Sequence, residues 1–299
     1  MRLFGHTESH AAESPVKLLF LLFPFLLFSI HYKPNRAPIA PYISGDTFRA
    51  NSDHAFDEMT RFSPFLLRPG QTIFVKPDML EEFFTKYHPQ ITTRYILVTH
   101  NSDNSVPGPY QRYLEDDKII AWFGQNPDIV HPKLHPIPIG LENRNWKPQN
   151  VEVITRVKAK KLHKTHLLYY NLNPATYPSE RTEVQNLFAQ APFTYAQDRK
   201  EYEPFIEDLA SSKFVLSPRG NGLDTHRLWE TLYVGSYPIV KTSPLDSAYE
   251  GLPVVIVSDW SKVTEEFLNQ KYDEFQSTLF NYDRLNIHFW LQLIKKAAA

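Results

Sequence analysis

Cysteine is absent from the 299 residues. A chain without a thiol has no disulfide scaffold, no thiolate nucleophile, no Cys-ligated zinc and no iron–sulfur cluster. Net charge is nearly absent too, since 32 Lys and Arg against 33 Asp and Glu leave −1. No global field draws a phosphate backbone, so nucleic acid is not an expected partner, and any polyanion site must be a local cluster of Arg and Lys. Glycine is scarce, 10 residues against 24 prolines. Proline therefore sets most turns, and each glycine is expected to have a specific backbone reason. No G-x-x-x-x-G-K-[ST] occurs, which excludes a P-loop kinase. No compact D-x-D pair occurs either, so a metal-held diphosphate lacks sequence support and no metal or cofactor is expected. His131 and His135 have ligand-like spacing, but Pro132 and Pro136 make a turn the better reading. No Asn-x-Ser/Thr glycosylation acceptor is present.

The chain is 42% hydrophobic and 22% charged, which rules out a disordered tail, a collagen or a heptad rod. Its length points to one large or two medium domains. Leu18 to Ile30 is an uncharged apolar run of thirteen residues broken only by Pro24 and Ser29. At ~1.5 Å per residue it covers roughly 20 Å, less than the roughly 30 Å of a hydrocarbon core. With no convincing small-x-small cleavage site after it, the expectation is an uncleaved, single-pass N-terminal anchor, residues 1–41 including a Pro-rich connector. The alternatives are a signal peptide or an apolar hairpin of the soluble part. Arg2 and Lys17 on one side and Lys33, Arg36 and Arg49 on the other leave the orientation undecided.

After the connector, short apolar runs alternate with amphipathic segments, the α/β pattern. Strands are expected at 72–76, 95–99, 118–123 and 134–139, with a helix over 78–87 capped by Asp78. The strand pattern lapses over 146–161, where Lys147, Arg156, Lys158, Lys160 and Lys161 suggest a solvated connecting helix. A second series follows: strands at 166–170, 213–217, 237–242 and 253–258, and helices over 179–190, 203–211, 225–233, 262–275 and 283–296. The expected division is 42–160 and 161–299, each Rossmann-like.

The densest chemistry lies between Lys213 and Val240. A strand runs into a loop holding Arg219, Gly220 and Gly222, and the loop opens a helix with His226 and Arg227 in its first turn and Glu230 one turn on. Free N–H groups and the helix dipole make such a junction a phosphate site. Two arginines there neutralise a diphosphate, and Glu230, three residues from Arg227, is placed to accept hydrogen bonds from ribose hydroxyls. A rival reading is a dinucleotide fingerprint, Gly220-Asn221-Gly222-Leu223-Asp224-Thr225, which fails at its third position because Thr225 replaces the small residue. The plain structural alternative is a glycine turn followed by a routine i,i+3 pair.

Pro218-Arg219-Gly220, Arg227-Leu228, Glu230, Gly235 and Pro238-Ile239-Val240, with the later Asp259-Trp260, resemble the nucleotide-binding half of the exostosin family of glycosyltransferases. The resemblance covers about residues 205 to 265. It implies a GT-B fold, two Rossmann-like domains facing a cleft, with the acceptor mostly on the first and a nucleoside-diphosphate sugar as donor on the second. Ser217 stands where the family often has cysteine, and the first half carries no obvious family motif. There, His100, Asn101, Ser102 and Asp103 end a strand, and Gly140 to Arg144 follow another. His100, Asp103 and, as a lesser candidate, Glu142 are the expected bases for an acceptor hydroxyl. Asn/Ser/Asp turn chemistry is the alternative for each. The expected activity is transfer of a sugar to a glycan or lipid-linked acceptor. The competing classes are an NAD(P)-type oxidoreductase and a glycan-binding module without turnover.

Overall fold

A computed structural model describes residues 36–298. The Leu18–Ile30 run lies outside them. Among the described residues no helix is long and apolar enough to cross a membrane.

Two five-stranded sheets are formed, and every pairing in both is parallel. The first contains β1 (His54–Phe56), β2 (Thr72–Val75), β3 (Tyr95–Thr99), β4 (Ile119–Gly124) and β5 (Leu134–Pro136), in that spatial order. The second contains β6 (His166–Tyr170), β7 (Thr194–Ala196), β8 (Ser212–Leu216), β9 (Tyr237–Lys241) and β10 (Val255–Val257), in the order β10-β9-β8-β6-β7. A parallel sheet is covered on both faces, so its strands read as unbroken apolar runs. All five residues of β3 are buried, for instance.

Helices α1 (Gly45–Ala50), α2 (Leu80–Glu82), α3 (Asn150–Lys160), α4 (Pro178–Phe188), α5 (Tyr202–Ser211), α6 (His226–Tyr233), α7 (Glu265–Ser277) and α8 (Ile287–Ala297) supply the covers. On the second sheet the period-two alternation sorts them cleanly. Leu168, Tyr170, Phe214 and Leu216 pack with Val184 and Phe188 of α4 and Leu268 of α7. Tyr169 and Val215 point the other way, into a core with Ile206 and Leu209 of α5 and Leu228 and Leu232 of α6. Strand order reverses between β6 and β8, the switch point at which doubly wound sheets open a crevice. The two facing α/β layers make the GT-B arrangement.

Three features depart from the sequence expectation. The segment 78–87 is not one capped helix: Asp78 makes no side-chain cap, and the chain runs through a 3₁₀ turn Pro77–Met79, α2, and a π-turn Phe83–Tyr87. Packing explains it, since Phe84 stacks on Tyr113 with ring centroids 3.9 Å apart. Elements α1, β1 and β7 were not anticipated, because six and three residues are too short to show a period. Helix α8, grouped by sequence with the second domain, packs on α1 and β4 of the first, burying Ile287, Trp290 and Ile294 beside Ile39, Ile43 and Phe48. Tyr233 ties this closure, its hydroxyl accepting from Ile43 N–H at 3.1 Å and donating to the Leu285 carbonyl at 2.8 Å.

Candidate functional site

The loops after β3, β4 and β5 meet the loop after β8. Asn126 accepts from Asp224 N–H at 2.8 Å and donates to the Ser102 carbonyl at 3.2 Å. Asp224 Oδ2 accepts from Ile139 N–H and from Trp229 Nε1–H, both at 2.8 Å, and its Oδ1 from Thr225 N–H at 2.8 Å. His226 Nδ1–H donates to the Gly140 carbonyl at 2.8 Å. Burial pushes the Asp224 carboxyl up to about 6, against these N–H bonds, which favour the charged form.

This contact gives Gly222 its reason. A Cβ there would stand 2.7 Å from Asn126 Nδ2. Close approach of the two loops, not a phosphate, demands the glycine. Gly220 likewise turns its N–H onto the Gly222 carbonyl at 3.1 Å. Neither glycine presents the free cradle that the fingerprint reading supposed, and Thr225 is simply the extended N-cap residue of α6.

Beside this contact, at the carboxyl ends of β8 and β9, lies a cleft of about 250 Å³ whose lining includes Tyr177, Glu180, Ser217, Arg219, Thr225 and Lys241. Arg219 lies over the Tyr177 ring at 4.2 Å and donates to the Asn221 carbonyl at 3.1 Å. Glu180 accepts from Trp260 Nε1–H at 3.2 Å. Burial pushes its pKa up, while that bond and the charges of Lys241 and Arg219 act against the rise. The cleft thus sets Arg219 and Lys241 against the carboxyl groups of Glu180 and Asp224, which also line it.

Arg227 and Glu230 do not line it. Their helix face turns toward α5, where Glu230, buried, accepts from the Tyr202 hydroxyl at 2.9 Å. Burial raises the Glu230 pKa, opposed by His226, by the Tyr202 bond and by Arg227. Arg227 lies over the Phe205 ring at 5.6 Å and reaches the Leu216 carbonyl only at 3.5 Å. The exposed i,i+3 pair does not form.

In the first half the three candidates separate. His100 is 2% exposed; its Nε2–H donates to the Pro138 carbonyl at 3.0 Å and its Nδ1 accepts from Asn101 N–H at 2.7 Å. Burial drives its pKa down to about 4. Both ring nitrogens are occupied, so His100 positions the β3 loop and has no nitrogen left to take a proton. Asp103 is exposed. Glu142 is half-buried, 3.9 Å from Lys147 Nζ, and its charge acts on Tyr202 of the second half. Lys147 lies over the Tyr202 ring at 4.4 Å. Sequence reasoning missed Asp46, which closes a ring with Asn101 and Asn143 of the two candidate segments: Asp46 N–H to Asn143 Oδ1 at 2.9 Å, Asn143 Nδ2 to Asn101 Oδ1 at 2.8 Å, and Asn101 Nδ2 to Asp46 Oδ1 at 3.1 Å. The local signal was the Ser44 cap of α1, whose Oγ accepts from Thr47 N–H at 3.2 Å.

No family model and no curated protein matches the chain. Among solved structures it is similar to the GtfA/B complex, with a TM-score of 0.36 and 11% identity over 78% of this chain and 55% of that one, little more than half its length. It is similar also to an alpha,alpha-trehalose-phosphate synthase (UDP-forming) from Burkholderia vietnamiensis, with a TM-score of 0.37 and 12% identity over 78% and 74% of the chains. A third is UDP-GlcNAc 2-epimerase from Neisseria meningitidis bound to UDP-GlcNAc, with a TM-score of 0.35 and 13% identity over 76% and 75%. Likenesses this distant carry no residue from those proteins to this one.

Proposed function

We propose that this chain is an exostosin-like glycosyltransferase that moves a sugar from a nucleoside-diphosphate sugar to a glycan or lipid-linked acceptor. One observation supports the reading above all: a cleft bearing Arg219 and Lys241 lies at the carboxyl ends of β8 and β9, beside the contact with the loops of the first sheet. Ligands of doubly wound sheets bind at strand carboxyl ends, and positive charge there acts on the charge that develops as a nucleoside diphosphate leaves. Arg219 and Lys241 take the diphosphate in the cleft. Glu230 takes the ribose by exchanging the Tyr202 hydroxyl for a ribose hydroxyl. Of the candidate bases, Glu142 is a half-buried carboxylate whose charge acts on Tyr202 of the second half. It accepts the acceptor hydroxyl's proton as that oxygen bonds the anomeric carbon and the bond to the diphosphate breaks. The apolar segment before the connector holds the unit at a membrane.

Titration calorimetry with UDP, GDP, NAD and NADP tests this reading. Binding of UDP or GDP, and release of that diphosphate from its sugar conjugate, is expected. Binding of NAD(P) alone would replace it with an oxidoreductase, and binding of glycans without transfer or hydrolysis with a recognition module.

A further inference from the structure

At the switch point, three donor side chains from different elements lie at the adjacent carboxyl ends of β6 and β8, and among the described residues none is ion-paired with a carboxylate. Tyr170, the last residue of β6, is 6% exposed, and its hydroxyl has no hydrogen-bond partner among the described residues. Arg227 of α6 has a buried Nε in the same state. Arg181 of α4 ties the loops after β6 and β8 together, Nε donating to the Arg219 carbonyl at 2.7 Å, Nη1 to the Asn173 carbonyl at 3.3 Å and Nη2 to the Pro218 carbonyl at 3.4 Å.

The three groups feel one another. Both guanidinium charges bear on the Tyr170 hydroxyl, and burial, with the charge of Arg181 behind it, draws Arg227 down to about 10. Two like charges and two orphaned buried donors are a costly set, because an unsatisfied buried donor forfeits its bond to water. Among the described residues neither arginine has a carboxylate within 4.0 Å, and Glu230, the carboxylate acting on Arg227, is bonded to Tyr202. An anion with several acceptor oxygens would satisfy all three at once.

We infer that Tyr170, Arg181 and Arg227 form a phosphoryl pocket behind the Pro218–Gly220 turn, taking the sugar-linked phosphate of the donor. This rests on the nucleotide-sugar reading for the ligand's identity, though not for its charge. Tyr170 would donate its hydroxyl hydrogen to a phosphate oxygen and Arg227 its Nε–H to another. Arg181 would hold the turn in place and add charge.

The test is calorimetric titration of the full chain with inorganic pyrophosphate, and in parallel with UDP and GDP, for wild type, Tyr170→Phe and Arg181→Lys. Tyr170→Phe removes one orphaned oxygen and nothing else, so its melting temperature should equal or exceed that of wild type. Pyrophosphate affinity should fall roughly tenfold in Tyr170→Phe, the size of one hydrogen bond to a charged group. It should fall further in Arg181→Lys, whose ammonium cannot span three carbonyls. Unchanged pyrophosphate affinity in Tyr170→Phe, or no pyrophosphate binding by wild type, would overturn the pocket. Pyrophosphate loss in Tyr170→Phe without UDP or GDP binding to any form would keep the pocket and sink the nucleotide-sugar reading. Nucleoside diphosphate binding indifferent to Tyr170→Phe would do the reverse.

Discussion

Arg219 sits in the cleft with its guanidinium partly exposed and stacked on Tyr177. Replacing it by Ala removes a charge-assisted contact and no core packing. Nucleoside diphosphate binding should weaken by about 1.5–3 kcal/mol with the melting temperature nearly unchanged, as calorimetry and thermal denaturation would show together. Glu230→Gln keeps size and one acceptor but removes charge. It should weaken nucleoside diphosphate binding by about 1–3 kcal/mol and spare inorganic pyrophosphate; equal losses for both would refute the ribose assignment. His100 and Asp224 carry opposite pH signatures. His100, lowered to about 4 by burial, is neutral when folded. Its contribution is full above its ordinary value near 6.5 and is lost as pH falls through 4. Between pH 7 and 4.5, wild type should lose about 2–3 kcal/mol more than His100→Gln in urea unfolding. Asp224, raised to about 6, works the other way, its contribution being full in acid and lost as pH rises through 6. The arrangement of Asp224 was not legible in the chain. Its partner Asn126 lies 98 residues away, and the local pattern of an Asp before a helix reads as a cap.

Helices and strands with a full period were readable, and short ones were not. The strands 95–99 and 166–170 end where the alternation ends, because both faces of a parallel sheet are buried and the apolar run is the signal. β7, an edge strand with no residue buried, gives none. Helix α8 was readable as a helix, but its destination was not, since an amphipathic stripe does not name the surface it covers. That destination carries a prediction. Trp290→Ala should cost about 3–5 kcal/mol in denaturant unfolding, the range for emptying a large core side chain. The loss should expose the first sheet's core around Ile39 and Phe48 to hydrogen exchange. Exchange confined to the second sheet would contradict the packing described.

The molecule as a whole brings loops from the two sheets into contact through Gly222, Asn126 and Asp224, and the cleft that holds Arg219 lies beside that contact. The resemblance over 205–265 identified the loop that forms one wall. It could not show that Gly222 serves the contact between sheets, nor that Arg227 turns away from the cleft, because both depend on the fold of residues far off in sequence. If Arg219 in the cleft serves the leaving diphosphate as proposed, then with no D-x-D pair in the chain transfer should persist in excess EDTA. Activity lost in EDTA and restored by manganese would overturn that. A chain beginning near Lys33 should remain soluble and active; failure to fold would place the apolar run in the core. The central claim is turnover of a nucleotide sugar at the cleft. Its most direct measurement is release of nucleoside diphosphate from a panel of UDP- and GDP-sugars, with a mixed glycan acceptor, by wild type and by Arg219→Ala. Release by wild type that falls at least about tenfold in the variant is predicted. No release from any sugar nucleotide, or release indifferent to Arg219, would contradict the account.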